Sequence, residues 1–437
     1  MEASFGKIFT VRETREKVFN TIFLLLAYRV GFQVPIPGMS AEFLRGGNET
    51  NPLFGLMSAF SGGQLGQTTI FGLGIMPYIS ASIIFSMLTK ISPTMEAVAK
   101  EGASGQKKIN QWTRLATVPI ALIQAFFVYT GVFLNDPNMI SPEMQDSPVL
   151  LGAVVIASLI AGALIVMWLG ELITEHGVGN GASLIIMAGI IASMPVSFLQ
   201  IWDTPEFWST LLFISGIWAV VVYVVVFMHK GARRIPVQYA RLTRGRRVYG
   251  GQRHYLPLKV NMAGVMPIIF ASVLFVIPGV IFGVLGWEYA QSIFSDQTGF
   301  VYVSIYVAMV FTFCFFWNRL MFRPEEIADN LREHGSFIPG IRPGAKTAEY
   351  LSSVLTRLTL VGAAFLAVVA VAPSFITEGT PMPANMQYFI GGTSVLIVVG
   401  VALDLVDKLA AQLVMRNYEG AMKEGGPGWT KKEGDAQ

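Results

Sequence analysis

The chain has 437 residues, of which 53% are apolar and only 14% are charged, well below the roughly 25% charged residues of soluble globular proteins. Its 44 Gly, 22 Pro and 31 Phe fit neither a low-complexity chain nor a collagen, and its one Cys, Cys314 in the apolar run FTFCFFW, excludes a disulfide framework or a Cys-based zinc cluster. The net charge of +3 carries little information, because in a membrane chain the position of each basic residue matters more than the sum.

A helix needs about 20 residues to cross a hydrocarbon core about 30 Å thick. The first stretch of that kind, Val18 to Val34, is interrupted only by Arg29, whose long side chain can snorkel to the headgroups. It does not read as a cleavable signal peptide: Glu2, Glu13 and Glu16 mix acid into the segment that leads into it, Arg29 breaks its apolar core, and no A-x-A site follows. Residues 51–68, NPLFGLMSAFSGGQLGQT, are uncharged but too rich in Gly, Ser and Gln for a lipid-facing helix, and read as a short or re-entrant segment. Nine uncharged stretches follow: Thr69 to Thr89, Leu115 to Leu134, Val149 to Gly170, Gly181 to Trp202, Phe207 to Met228, Val260 to Trp287, Gln297 to Asn318, Leu358 to Thr377 and Asn385 to Leu403. The expected fold class is an all-α polytopic membrane protein with ten transmembrane helices.

Of the 31 Lys and Arg, 29 fall in residues 1–17, 90–114, 230–259, 319–357 and 408–437, all on one side of a ten-span topology. The intervening loops are acidic, so the basic side is expected to be cytoplasmic, with both termini there.

The chain also echoes itself. Gly74 to Phe85, GIMPYISASIIF, aligns with Gly264 to Phe275, GVMPIIFASVLF, with seven of twelve positions identical. The offset of 190 residues carries the first span onto the sixth. Five spans per half is an odd number, so the second half is expected to sit inverted relative to the first. The division reads as residues 1–200, residues 201–407 with basic loops at 230–259 and 322–357, and a cytoplasmic tail at 408–437. Pro77 and Pro267 are expected to bend their spans at matching depth and narrow a central passage.

Inverted repeats suggest transport, with a secondary transporter as the alternative to a channel. A transporter or pump keeps ionisable groups at midplane depth, whereas here Glu171, Glu175, Asp404 and Asp407 lie at span ends. Glu171, Glu175 and His176 adjoin Gly177 to Gly181, where a turn is a simpler reading than a metal or phosphate site. No catalytic motif is present, so neither an enzyme nor a cofactor is expected. Residues 230–259 hold nine basic residues and no acid, more than orientation needs; topology with anionic lipid contact is one reading, and docking of a cytoplasmic partner or RNA is the other, because interleaved Arg and Tyr suit phosphate contacts and stacking. In the second basic loop two Pro-Gly pairs, in FIPGIRPG at 337–344, are expected to hold Arg342 at the tip of a turn.

Eight motifs carry a family resemblance: PIPG at 35–38, FSGG at 60–63, LGIMPYISASII at 73–84, ITEHGVGNGASLII at 173–186, RRIPVQYARLTRGRRVYGGQ at 233–252, LPLKVNMAGVMPIIFA at 256–271, FIPGIRPG at 337–344 and GGTSVLIVVGVALD at 391–404. With these the chain resembles the SecY family, the channel subunits of the bacterial Sec protein translocase. The resemblance implies an hourglass pore between two hinged five-helix halves, passing unfolded secretory polypeptides and opening sideways between the second and seventh spans to release membrane segments into lipid. It implies a pore ring of Ile75, Ile79, Ala182, Ile186, Ile269 and Ile397, with Ala182 smaller than is usual there. It implies a plug at residues 51–66 that includes Phe54, Met57, Phe60, Gly62 and Gly63, and docking of the SecA motor ATPase or the ribosome on Arg241, Arg244, Arg246, Arg247 and Arg342. Ser86 stands where many relatives carry Gln on the lateral gate. SecE and SecG subunits, preproteins with their signal sequences, membrane lipids and a bacterial cytoplasmic (inner) membrane location are implied in the same way.

Overall fold

The computed structural model describes residues 12–39, 69–133, 140–141, 144, 147–202, 207–239, 242–244, 247–249, 253–262, 264–295, 298–377 and 392–423. In chain order the helices begin with α1 Arg12–Gly31, α2 Met76–Ile91, the short α3 Pro93–Lys100, and α4 Ala103–Val128, which runs into a π-helical turn at Tyr129–Phe133. They continue with α5 Pro148–His176, α6 Gly181–Trp202 and α7 Phe207–Lys230. Four strands follow, β1 Ala232–Tyr239, β2 Leu242–Arg244, β3 Arg247–Tyr249 and β4 Arg253–Lys259. The remainder is α8 Met266–Val284, α9 Glu288–Ser295, α10 Phe300–Met321, α11 Pro324–Glu333, β5 Ser336–Phe337, α12 Ala345–Thr377 and α13 Gly392–Lys423.

A helix lies in each of the ten apolar stretches. Among the described residues four segments are long and apolar enough to span a bilayer: Pro148–His176, Phe207–Lys230, Phe300–Glu333 and Ala345–Ile376. Met76–Ile91 and Gly181–Ala192 are apolar but shorter. The surroundings of α7 have to be apolar, since Trp208, Leu212, Val220, Tyr223 and Phe227 all stand more than 60% exposed along it.

The two repeat prolines do not bend their helices midway, contrary to the sequence expectation. Gly74 and Gly264 take φ of 53° and 64°, a left-handed conformation that suits glycine. Each helix then begins two residues later, at Met76 and at Met266. Pro77 and Pro267 therefore stand in the first turn, where the missing N–H has no intrahelical acceptor to lose. Among the described residues the prolines inside helices are Pro119, Pro195, Pro278 and Pro373.

Packing divides along the sequence. One core, with Leu73, Ala121, Ala125, Val155, Leu159 and Ala163, draws only on residues up to 163. A second, with Ile268, Phe275, Val310, Leu366 and Val399, draws its buried members from residue 225 onward. A third is built from both.

The all-helical expectation missed a small sheet. β1 pairs antiparallel with β4, from Ala232↔Lys259 to Gln238↔Arg253, and with β5 through Gln238↔Phe337 and Tyr239↔Ser336. The two basic loops are thereby joined. Ile235 and Val237 alternate inward along β1, and with Leu258 they pack on Ile338, Leu351, Val354 and Leu355. The last three belong to the first turns of α12, which starts 13 residues ahead of the apolar stretch that begins at Leu358.

Candidate functional site

The junctions after Gly74 and Gly264 aim the same side chains at the same place. The Ile79 amide donates to the Ile75 carbonyl at 3.0 Å, and the Ile269 amide to the Val265 carbonyl at 3.2 Å. A Cβ built on Gly170 would lie 3.1 Å from Ile75 Cδ1, so the bare face of α5 is what lets Ile75 seat there.

Beside it, α6 is set by the turn that precedes it. Gly179 has φ of 92°. Asn180 caps the helix, its Oδ1 accepting from the Ser183 amide at 3.3 Å. Thr174 Oγ1 accepts from the Gly181 amide at 2.8 Å, and Thr21 Oγ1 on α1 accepts from the buried Val178 amide at 3.0 Å. A Cβ on Gly181 would stand 1.8 Å from the Gly170 carbonyl oxygen, so α5 and α6 meet at a distance only glycine allows. Glu171, considered above beside this turn, receives a hydrogen bond from Arg114 Nε at 2.6 Å.

These constraints bring five of the six ring candidates into the buried part of one apolar cluster: Ile75 and Ile397 are 1% exposed, Ile186 3%, and Ile79 and Ile269 6%. Ala182 packs against the cluster while remaining partly exposed. α6 and α8, which supply three of the six, contain no ionisable residue. The same cluster holds Ile83, Ile190, Phe270 and Trp317. Sequence reasoning did not single these out, although Ile83 and Ile190 follow Ile79 and Ile186 by four residues and so share a helix face with them. Ser86 on α2 is satisfied within its own helix, its Oγ donating to the Ser82 carbonyl at 2.7 Å.

Arg342 is exposed on a turn. Gly340 and Gly344 take φ of 82° and 97°, Thr347 Oγ1 donates to the Arg342 carbonyl at 3.0 Å, and Ile338 anchors the turn in the small core under the sheet. β2 and β3 set Arg244 and Arg247 opposite one another in register. Arg241, Arg246 and the whole 51–66 segment, with Phe54, Met57, Phe60, Gly62 and Gly63, lie outside the described residues.

The SecY family model matches residues 69–406. A protein translocase subunit SecY from Streptomyces scabiei is 40% identical over 439 residues, covering 97% of this chain and 100% of the relative. The chain belongs to the SecY family. Among solved structures, one described as a protein-conducting channel superposes with a TM-score of 0.66 at 18% identity, covering 93% of this chain and 94% of that one. Sec61 of the canine ribosome-channel complex from the endoplasmic reticulum superposes at 0.62 and 17% identity, over 93% and 94%. As a SecY family member the chain is a translocase subunit, a membrane protein of the protein-conducting channel class, and these matches give no support to a secondary transporter.

Proposed function

We propose that the apolar cluster is the constriction of the channel, through which unfolded secretory polypeptides cross a bacterial cytoplasmic membrane, and that the two halves part sideways to release membrane segments into lipid. The observation that carries this reading is that residues from both halves of the sequence, Ile75, Ile79 and Ile186 from the first and Ile269 and Ile397 from the second, are buried together. An apolar throat disfavours a continuous file of water and ions, and it offers no charged site on which a passing chain of arbitrary sequence would stick.

In this reading both termini and the joined basic loops face the cytoplasm, as the distribution of Lys and Arg supports. The chain supplies no energy of its own, so a motor must push. SecA or the ribosome would do so from the loops that carry Arg342 and the Arg241, Arg244, Arg246 and Arg247 group; the ribosome-bound state of the canine relative supports the second. SecE and SecG complete the complex. Residues 51–66 act as a plug, and their deletion should leave an export-competent channel that leaks ions.

The test is a stalled secretory chain engaged with the full complex and a photoreactive group at Ile79. Crosslinking to the chain, with none from a lipid-facing site such as Leu212, is the expected result. Equal labelling at both sites would remove Ile79 from the path.

A further inference from the structure

Away from the apolar cluster the two halves of the sequence meet through a charge pair that the function described so far does not use. Arg323 Nη1 donates to Glu96 Oε1 at 2.8 Å, between residues 227 positions apart. Neither partner sits on a loose loop. The Ser92 amide still bonds the Leu88 carbonyl at 2.9 Å, carrying the end of α2 directly into α3, where Glu96 lies in the first turn. The Phe322 amide likewise bonds the Asn318 carbonyl at 3.0 Å, and Arg323 is the N-cap residue immediately before α11. Any movement of α2 relative to α10 therefore pulls on this pair.

Both groups are tied further on their own side. Lys100 Nζ lies 3.1 Å from the same Glu96 oxygen, and Arg323 Nη1 also meets Glu326 Oε1 at 2.7 Å. The side chains are only 27% and 34% exposed, while α3 and α11 have little backbone packing against each other. The seam between the halves is thus fastened by contacts of different kinds. Ile79, Ile83, Ile269 and Phe270 meet in the middle, the π-helical turn at Tyr129–Phe133 lies against α8 at one end, and this four-charge network lies at the other. Apolar contacts tolerate sliding, but a hydrogen-bonded ion pair is lost once its partners separate by a few ångströms.

We infer that the Glu96–Arg323 pair is a latch across the seam, and that it sets how strong a signal sequence must be to open this channel. The inference rests on the sideways-opening reading above. A group can bias opening only if it interacts differently with the closed and open states, and this pair exists only while α3 and the start of α11 are together. The rival reading is an inert surface pair, since many such pairs contribute nothing measurable.

The experiment uses the full translocase in planar bilayers and in an export assay with a preprotein bearing a defective signal sequence. E96Q and R323Q should each raise opening frequency and defective-signal export by about two- to fivefold, the range open to a partly exposed pair. The double variant E96Q/R323Q should open no more often than either single one, since both act through one contact. Opening frequency should rise with ionic strength in the parent and stay flat in R323Q, because salt screens the pair. An E96C/R323C pair bridged by a short bismaleimide should block release of membrane segments into lipid. Single variants with parental opening and stringency, or a bridged complex that still releases segments, would overturn the latch. If Ile79→Asn opens the channel while R323Q does not, the constriction reading stands and the latch alone falls; if neither has an effect, the constriction reading fails first.

Discussion

Ile79 and Ile269 occupy the same place in two junctions of the same build. Each lies five residues after a left-handed glycine, each amide closes a first helical turn, and each side chain is 6% exposed in one shared cluster. Burying an Ile contributes about 1.5–3 kcal/mol, and an Asn at either place would hold an amide that gains more from water in an open throat than from apolar neighbours in a shut one. Ile79→Asn and Ile269→Asn are each expected to raise resting ion conductance and to pass defective signal sequences. Planar-bilayer recording decides it: a variant as tight as the parent would remove that residue from the seal.

Gly181→Ala should destabilise the fold. Its Cβ would meet the Gly170 carbonyl oxygen at 1.8 Å, a backbone atom that cannot turn aside, whereas an added Cβ on Gly216 meets nothing within 4 Å. Overpacking of this kind costs about 1–3 kcal/mol. Thermal unfolding of the detergent-solubilised complex should show a lower midpoint for Gly181→Ala and an unchanged or raised one for Gly216→Ala, since Ala is the better helix former. Equal midpoints would mean that α5 and α6 separate without cost.

Arg342→Glu should stop motor-driven export while leaving membrane insertion of the channel intact. The turn that carries Arg342 is held by Thr347 and Ile338 and not by the guanidinium, so the substitution alters the charge and leaves the scaffold. Loss of a charge-assisted contact is worth about 1.5–3 kcal/mol, or at least tenfold in docking affinity. A variant that binds its motor as tightly as the parent and exports normally would clear Arg342 of this role.

The Glu96 carboxyl is held down at about 2 from its ordinary 4.5, first by the hydrogen bond from Arg323, then by that from Lys100. A carboxylate whose folded value is depressed adds stability that is fully present above the unfolded value and is lost as pH falls through the folded one. The difference in thermal midpoint between the parent and E96Q should therefore be constant from pH 8 to pH 5, shrink below about 4.5, and vanish near 2. A difference that disappears at pH 6 would show that Arg323 does not hold Glu96 in solution.

Hydropathy and the placement of charge are local properties, and what they govern was legible in the chain itself. The uncharged run Gly181 to Trp202 coincides with α6 at both ends, because no ionisable residue interrupts it and Asn180 caps it. The eight motifs spread along the chain were enough to point to the family. The tertiary structure decided what depends on residues far apart in the chain. Pro77 and Pro267 open their helices and do not kink them, since the left-handed glycines before them restart the backbone. RRIPVQY is too short and too charged to announce a strand, and becomes one only because Ile235 and Val237 find Leu258 and Leu351 beneath them. Glu96 and Arg323 carry no sign of each other across 227 residues; a charge reveals its position along the chain, and only the fold selects its partner.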